Sequence, residues 1–209
     1  MKVAILGGTG SFGRGLAARL VAVGVDEVVI GSREAERAQG TAAELGGGAA
    51  GARNEEALAG VDLAVLAVKA DAALATARAV AAPLGRTPLL SVASAIEVRK
   101  GTGALPDADA RSLAERIQDL LDAPVVAGLH SIAASNLAEA APDEDALVCG
   151  DDAEAKELAL ELAGRVVAGR ALDAGPLASA RALEGLTAVI VNLNRRYRAH
   201  TGIRVTGVG

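Results

Sequence analysis

The stretch that most constrains this chain is Met1 to Arg33, MKVAILGGTGSFGRGLAARLVAVGVDEVVIGSR. It starts with an apolar run, Val3 to Leu6, which predicts a buried strand. Gly7-Gly8-Thr9-Gly10-Ser11-Phe12-Gly13 follows and contains G-x-G-x-x-G from Gly8 to Gly13. Leu16, Ala17, Leu20 and Val21 then recur at helical spacing as far as Gly24, and a second apolar run, Val28 to Ile30, ends at Gly31-Ser32-Arg33. Strand, glycine loop, helix and strand within about 30 residues is the size of one βαβ unit.

In that context the glycines point to a dinucleotide rather than to a merely glycine-rich turn. Gly8 is expected to supply the tight turn, Gly10 to let the backbone approach a pyrophosphate, and Gly13 to let the helix pack closely. The helix N-terminus, with Thr9, Ser11 and Phe12 around it, offers unpaired N–H groups and partial positive charge to the anion. The end of the second strand chooses the cofactor. An NAD site usually has an acid there, whereas here Gly31 is followed by Ser32 and Arg33, with Arg37 one helical turn on. A guanidinium matches a phosphate dianion in charge and fork geometry, and Ser32 and Thr9 can add hydroxyls. We read a 2′-phosphate site and hence NADP. The plainer alternative is that Arg33 and Arg37 are solvated charges on a surface helix.

Apolar runs alternate with helix-forming stretches along the rest of the chain. Leu63 to Val68, Pro88 to Val92, Val125 to Leu129, Ala146 to Cys149 and Arg170 to Asp173 read as further strands, with a helix over Ala72 to Pro83 and another over Ala153 to Val167. A largely apolar helix, Ala182 to Arg196, closes the chain. This order argues an α/β class, a doubly wound Rossmann-type parallel sheet with a small C-terminal helical extension. We expect one domain over 1–209, with 125–209 an extension that forms part of the acceptor site. Ligands bind beyond the carboxyl ends of such strands, so Gly8–Phe12, Ser32–Arg33, Lys69–Ala72 and Ala93–Ala95 are expected to line one crevice. Ala93 to Asp109 reads as an irregular loop at its mouth that could act as a lid, and Asn54 as the cap of a short helical turn.

Composition narrows the partners. Of 209 residues 51% are hydrophobic, but the only aromatics are Phe12 and Tyr197, so a ring-shaped ligand must stack mostly on aliphatic side chains. Net charge is −5 with no basic run, which argues against nucleic acid. The apolar runs are too short or too interrupted to span a bilayer. Cys149 is the only cysteine, so neither an internal disulfide nor a thiolate metal cluster can form. That, and a first strand that begins at the N-terminus with no leader, are compatible with the cytoplasm. Asp151-Asp152 could pass for a metal pair, but a helix follows and Asp152 reads better as its cap, so no metal site is expected.

Several stretches together resemble the coenzyme F420-dependent NADP oxidoreductase family, also called NADPH-dependent F420 reductase. They are Lys2 to Gly10 with Gly13 and Gly15, Gly31-Ser32-Arg33, Leu129-His130-Ser131-Ile132, Val148-Cys149-Gly150-Asp151-Asp152 and Asp173-Ala174-Gly175-Pro176-Leu177. The resemblance implies hydride transfer between NADP(H) and coenzyme F420. It implies that Thr9 to Phe12, Ser32, Arg33 and Arg37 hold NADP, and that the loops near Ala72 and Ser94 complete the nucleotide crevice. The segment from His130 to Ala134 would border nicotinamide and deazaflavin, with Ile132 and Ala134 in contact.

Hydride transfer between two flat carriers asks little of side chains, because the chemistry belongs to the carriers. His130, at a strand's carboxyl end, is the candidate catalytic residue, able to bond a ring carbonyl or carboxamide; its plainer reading is a structural histidine bonded to backbone. Ile132 and Leu177 are expected to supply the apolar contact to F420. Val189, Ile190, Val191 and Leu193 make the last helix more apolar than one buried face needs, and with the family resemblance this predicts a homodimer. Two other functions fit parts of the pattern. One is an NADPH-dependent reductase of another acceptor, such as an imine, a ketone or a metal chelate. The other is an NADP-sensing protein without turnover.

Overall fold

The structure, a computed structural model, describes residues 1–208 apart from the side chains of Ala138 and Glu139; Gly209 of the expected domain lies outside it. Eight strands form one sheet: β1 (Lys2–Leu6), β2 (Glu27–Ser32), β3 (Ala50–Arg53), β4 (Leu63–Leu66), β5 (Leu89–Ser91), β8 (Val125–Gly128), β9 (Ala146–Gly150) and β10 (Ala171–Asp173). Two more, β6 (Ile96–Arg99) and β7 (Gly103–Pro106), form a separate antiparallel hairpin. The helices are α1 (Ser11–Ala22), α2 (Ala35–Leu45), α3 (Ala70–Leu84), α4 (Leu113–Gln118), α5 (Ala134–Glu139), α6 (Ala153–Val166) and α7 (Ala180–Tyr197).

The sheet order is β10-β9-β8-β5-β4-β1-β2-β3. From β3 to β8 every pairing is parallel, in the order expected of two βαβαβ halves meeting beside β1. The strands alternate because both faces are covered. Val3, Ile5, Leu63 and Val65 pack on one side with Leu16 and Leu20 of α1 and Leu162 of α6. Ala4, Leu6, Ala64 and Leu66 pack on the other with Ala77 and Val80 of α3 and Ile117 of α4. Two buried layers of this kind read in sequence as continuous apolar runs.

Three expectations are corrected. The sheet is not wholly parallel: β9 runs antiparallel to β8, with Val126 opposite Gly150, and β10 follows β9. The connection out of β8 carries only α5, whose six residues span about 9 Å. α5 packs against α1 rather than carrying the chain back along the sheet, and β9 starts beside the end of β8. Ala93 to Asp109 is not an irregular loop, since it contains the β6–β7 hairpin. Asn54 caps nothing with its side chain. Glu56–Leu58 forms a single 3-10 turn, and Asn54 Oδ1 instead accepts the Gly7 N–H at 3.3 Å. Asp152 does cap α6, accepting the Ala155 N–H at 2.9 Å.

Candidate active site

The nucleotide end is built from the first turn outward. Gly7 sits at φ +75°, so the left-handed turn falls there rather than at Gly8 as expected. Gly8 is needed for contact: a Cβ on it would lie 2.8 Å from the Ile5 carbonyl oxygen. A Cβ on Gly13 would lie 2.7 Å from Gly8 Cα, so α1 packs tightly on the turn itself. Gly10, by contrast, is exposed, and it is the N-cap of α1 with no side chain to bond the first amides. The N–H groups of Ser11, Phe12 and Gly13 therefore have no capping side chain and can serve an anion, as the helix dipole favours.

At the end of β2 the Ser32 hydroxyl is buried and accepts the Glu34 N–H at 3.3 Å, which leaves its own proton to give. Arg33 and Arg37 are exposed, and neither forms an ion pair among the described residues. Thr9, half-buried, stands on the same edge of the sheet, since β1 and β2 are parallel and Leu6 pairs with Gly31.

A crevice of about 500 Å³ opens from Phe12 across the carboxyl ends of β4, β5 and β8. Lys69 to Asp71, Val92 to Ser94, Leu129, His130, Ile132 and Thr187 line it. The chain leaves β8 through Leu129 at φ +63°, a conformation that costs an ordinary residue about 1–2 kcal/mol. That kink turns His130 toward the crevice.

His130 is held in a closed ring of hydrogen bonds. Thr187 Oγ1 donates to the His130 carbonyl at 2.8 Å. Its only proton is thereby used, so at the 2.7 Å contact between Ser94 Oγ and Thr187 Oγ1 the serine must donate. Ser94 then has no proton for His130 Nδ1, 3.0 Å away, and Nδ1–H must donate to Ser94. The ring assigns the Nδ1–H tautomer and leaves Nε2 as a bare acceptor. Nε2 is buried and has no partner in the protein, the condition of an atom that awaits one from a ligand. Burial lowers the imidazole pKa to about 4, so His130 is neutral at physiological pH. Cys149 is buried, and burial pushes its thiol up to about 12, which makes it a core residue and no nucleophile.

Not every expected residue reaches the crevice. Phe12, Ser94, His130 and Ile132 line it. Ala72 is one turn away in α3, its N–H on the Lys69 carbonyl at 3.0 Å. Ala134 faces α1, where a Cβ on Gly15 would lie 3.0 Å from its carbonyl oxygen. Leu177 is buried in the core, and its N–H bonds Asp151 Oδ1 at 2.9 Å. The reversal of β9 carries that whole turn to the opposite end of the strands from the crevice, and Leu177 does not line it. Thr187 was not anticipated. Its one signal was a polar residue inside the apolar run Leu186 to Val191.

A family model described as "NADP oxidoreductase coenzyme F420-dependent" matches residues 2–95. An F420-dependent NADP reductase of Methanothermobacter thermautotrophicus is 36% identical over 223 residues, covering 100% of this chain and 96% of the relative. The chain belongs to the F420-dependent NADP reductase family. A second relative of that name, from Methanothermobacter marburgensis, is also 36% identical and covers 100% of this chain and 99% of its own. A crystal structure of a proposed F420-dependent NADP reductase from Arthrobacter sp. FB24 superposes with a TM-score of 0.84 at 27% identity, over 99% of both chains. The family resemblance and the Rossmann-type class read from the sequence are both borne out, and membership reaches the second half of the chain, beyond the reach of the model match. Among the described residues no cluster of His, Cys, Asp and Glu could hold a metal ion, and no helix is long and apolar enough to cross a membrane.

Proposed function

We propose that this protein is an NADP-dependent oxidoreductase that passes a hydride between NADP(H) and coenzyme F420. The observation that carries the reading is adjacency: the crevice beside His130 is lined by Phe12 in the first turn of α1, while Gly8 to Ser11 and Ser32, Arg33 and Arg37 lie outside its lining. A nucleotide anchored at α1 and beyond β2 would deliver its nicotinamide into a pocket with space for a second ring. The fit is chemical as well as spatial. The uncapped amides of α1 would hold the pyrophosphate, Ser32, Arg33 and Arg37 would hold the 2′-phosphate, and Val68, Val92, Leu129 and Ile132 would offer apolar contact in a chain nearly without aromatics.

The hydride chemistry is supplied by the two carriers when bound. The chain's own residues position and shield. His130 Nε2 is poised to accept an amide or imide N–H of a bound ring, while Ser94 and Thr187 hold the imidazole in the tautomer that permits it. The aliphatic wall excludes water and leaves the rings to approach at contact distance.

Bleaching of the visible absorbance of oxidised F420 on mixing with protein and NADPH tests the reading, and no bleaching refutes it. In the same reading the enzyme works in the cytoplasm, which suits its single free, buried cysteine. It also works as a homodimer. Ile190 is buried within its own subunit, but Val189 beside it stays 52% exposed and is the natural start of a partner surface. Sedimentation showing only monomer at micromolar concentration refutes the dimer.

A further inference from the structure

A second groove, of about 630 Å³, lies between the β6–β7 hairpin and the end of α7. Arg99, Lys100, Arg195 and Arg196 line it, together with Gly101 to Gly103 and Asn192. Arg99 is engaged, its Nε on Glu97 Oε2 at 2.9 Å. Lys100, Arg195 and Arg196 form no ion pair among the described residues, although the chain as a whole carries a net charge of −5. Arg195 and Arg196 alone could be read as cations placed to suit the helix C-terminus. Lys100 comes from a different element, and its position is built. Asn192 straps the hairpin to α7 with two hydrogen bonds to Ala104, accepting its N–H at 2.8 Å and donating to its carbonyl at 2.7 Å. Gly103, at φ +99°, leaves clear the space that a Cβ would take from the Asn192 side chain.

The groove and the crevice share two elements. Ile96 and Thr187 line the crevice, and β6 and α7 carry the wall on from those residues into the groove. From Ile96 to Arg99 β6 rises about 10 Å, with Lys100 next in the hairpin turn, and from Thr187 to Arg195 a helix rises about 12 Å. Both walls therefore carry their cations away from the ring pocket along the same two elements. We propose that this groove is the subsite for the anionic tail of the deazaflavin co-substrate, a ribityl phosphodiester extended by glutamyl carboxylates. The proposal rests on the reading of function given above. The ring occupies the crevice, the polyol follows the α7–hairpin wall, and phosphate and carboxylates meet Lys100, Arg195 and Arg196. These contacts are exposed and screened by salt, so they act on capture of the co-substrate rather than on the hydride step.

The test compares F420 with its ribityl deazaflavin fragment, which lacks phosphate and glutamates. In the native protein kcat/KM should favour F420, and the preference should shrink as salt is raised. In the triple variant Lys100→Gln/Arg195→Gln/Arg196→Gln the preference should fall about tenfold, as expected for three lost, screened charge contacts. Lys100→Glu alone should move it in the same direction. Arg78→Gln, an exposed change on α3, controls for net charge and should leave the preference in place. An unchanged preference in the triple variant overturns the subsite. So does a matching loss of NADPH affinity, which would assign the cations to the nucleotide. Native protein that reduces both substrates equally well overturns the subsite and leaves the function standing. Native protein that reduces neither overturns the function, and the subsite with it.

Discussion

Replacing Thr187 by valine removes one hydroxyl and should reverse the hydrogen-bonding polarity of His130. In the native ring the Thr187 proton is on the His130 carbonyl, which obliges Ser94 to donate to Thr187 and Nδ1–H to donate to Ser94. Without the threonine acceptor the Ser94 proton is free to turn to Nδ1. The imidazole proton then moves to Nε2, and the nitrogen left for the ligand becomes a donor. A ligand N–H would face another N–H. Leaving a buried donor unsatisfied costs about 1–3 kcal/mol. That is a loss of roughly five- to 150-fold in kcat/KM for F420 at saturating NADPH. Thr187→Ser keeps the hydroxyl and should retain most of the activity. The tautomer is read directly by nitrogen NMR of the imidazole at neutral pH, where a pKa of about 4 keeps the ring uncharged. A native protein protonated on Nε2, or a valine variant whose tautomer does not change, refutes the argument.

Arg33→Ala should raise the Kd for NADPH by roughly ten- to 150-fold, the loss of one charge-assisted contact of about 1.5–3 kcal/mol, and leave NADH nearly unaffected; equal native affinity for the two cofactors would end the 2′-phosphate reading. The buried imidazole also makes stability depend on pH. Its pKa is lowered from 6.5 to about 4, so between those values the unfolded chain binds the extra proton. Stability is therefore complete above about 6.5 and declines as pH falls toward about 4, by at most roughly 3 kcal/mol. Urea titrations across that window should show the decline in the native protein and a flatter profile in His130→Gln; parallel profiles would exclude His130 as the cause. Glu184 is buried and accepts the N–H groups of Leu113 and Ala114 at 3.0 Å each, closing the start of α4. Glu184→Ala strands both amides and should cost roughly 2–5 kcal/mol in urea unfolding; a loss below about 1 kcal/mol would mean that water replaces the carboxylate.

The glycine turn and the open start of α1, which we propose as the nucleotide grip, were legible in the sequence because they are local. The turn at Gly7, the contact glycines Gly8 and Gly13, the open Gly10 and the uncapped start of α1 are consecutive, and Ser32-Arg33 is fixed by the parallel pairing of β1 and β2. Backbone groups bind the anion, so the spacing of glycines alone carries the message. Ser94, His130 and Ile132 were also within reach, since each follows a recognisable buried strand whose carboxyl end faces the crevice.

What the sequence did not carry are contacts between distant segments. Ser94, His130 and Thr187 close one ring although 36 residues separate the first two and 57 the last two, and no spacing rule joins them. The direction of β9 is a matter of tertiary packing, because an apolar run over Ala146 to Cys149 reads the same in either direction. That direction decided which motifs belong to the site. Asp173 to Leu177 resembles the family as closely as His130 does, yet the reversed strands place it at the opposite end of the strands from the crevice, where Leu177 fills the core. The hairpin and its strap are a third case. The glycines and cations of Arg99 to Gly103 look like a solvated turn until Asn192 ties that turn to α7 and brings Lys100 to the groove it shares with Arg195 and Arg196. Hydrophobic periodicity determines which residues are buried, but only the closed sheet and the helices packed on it determine which buried or charged groups meet.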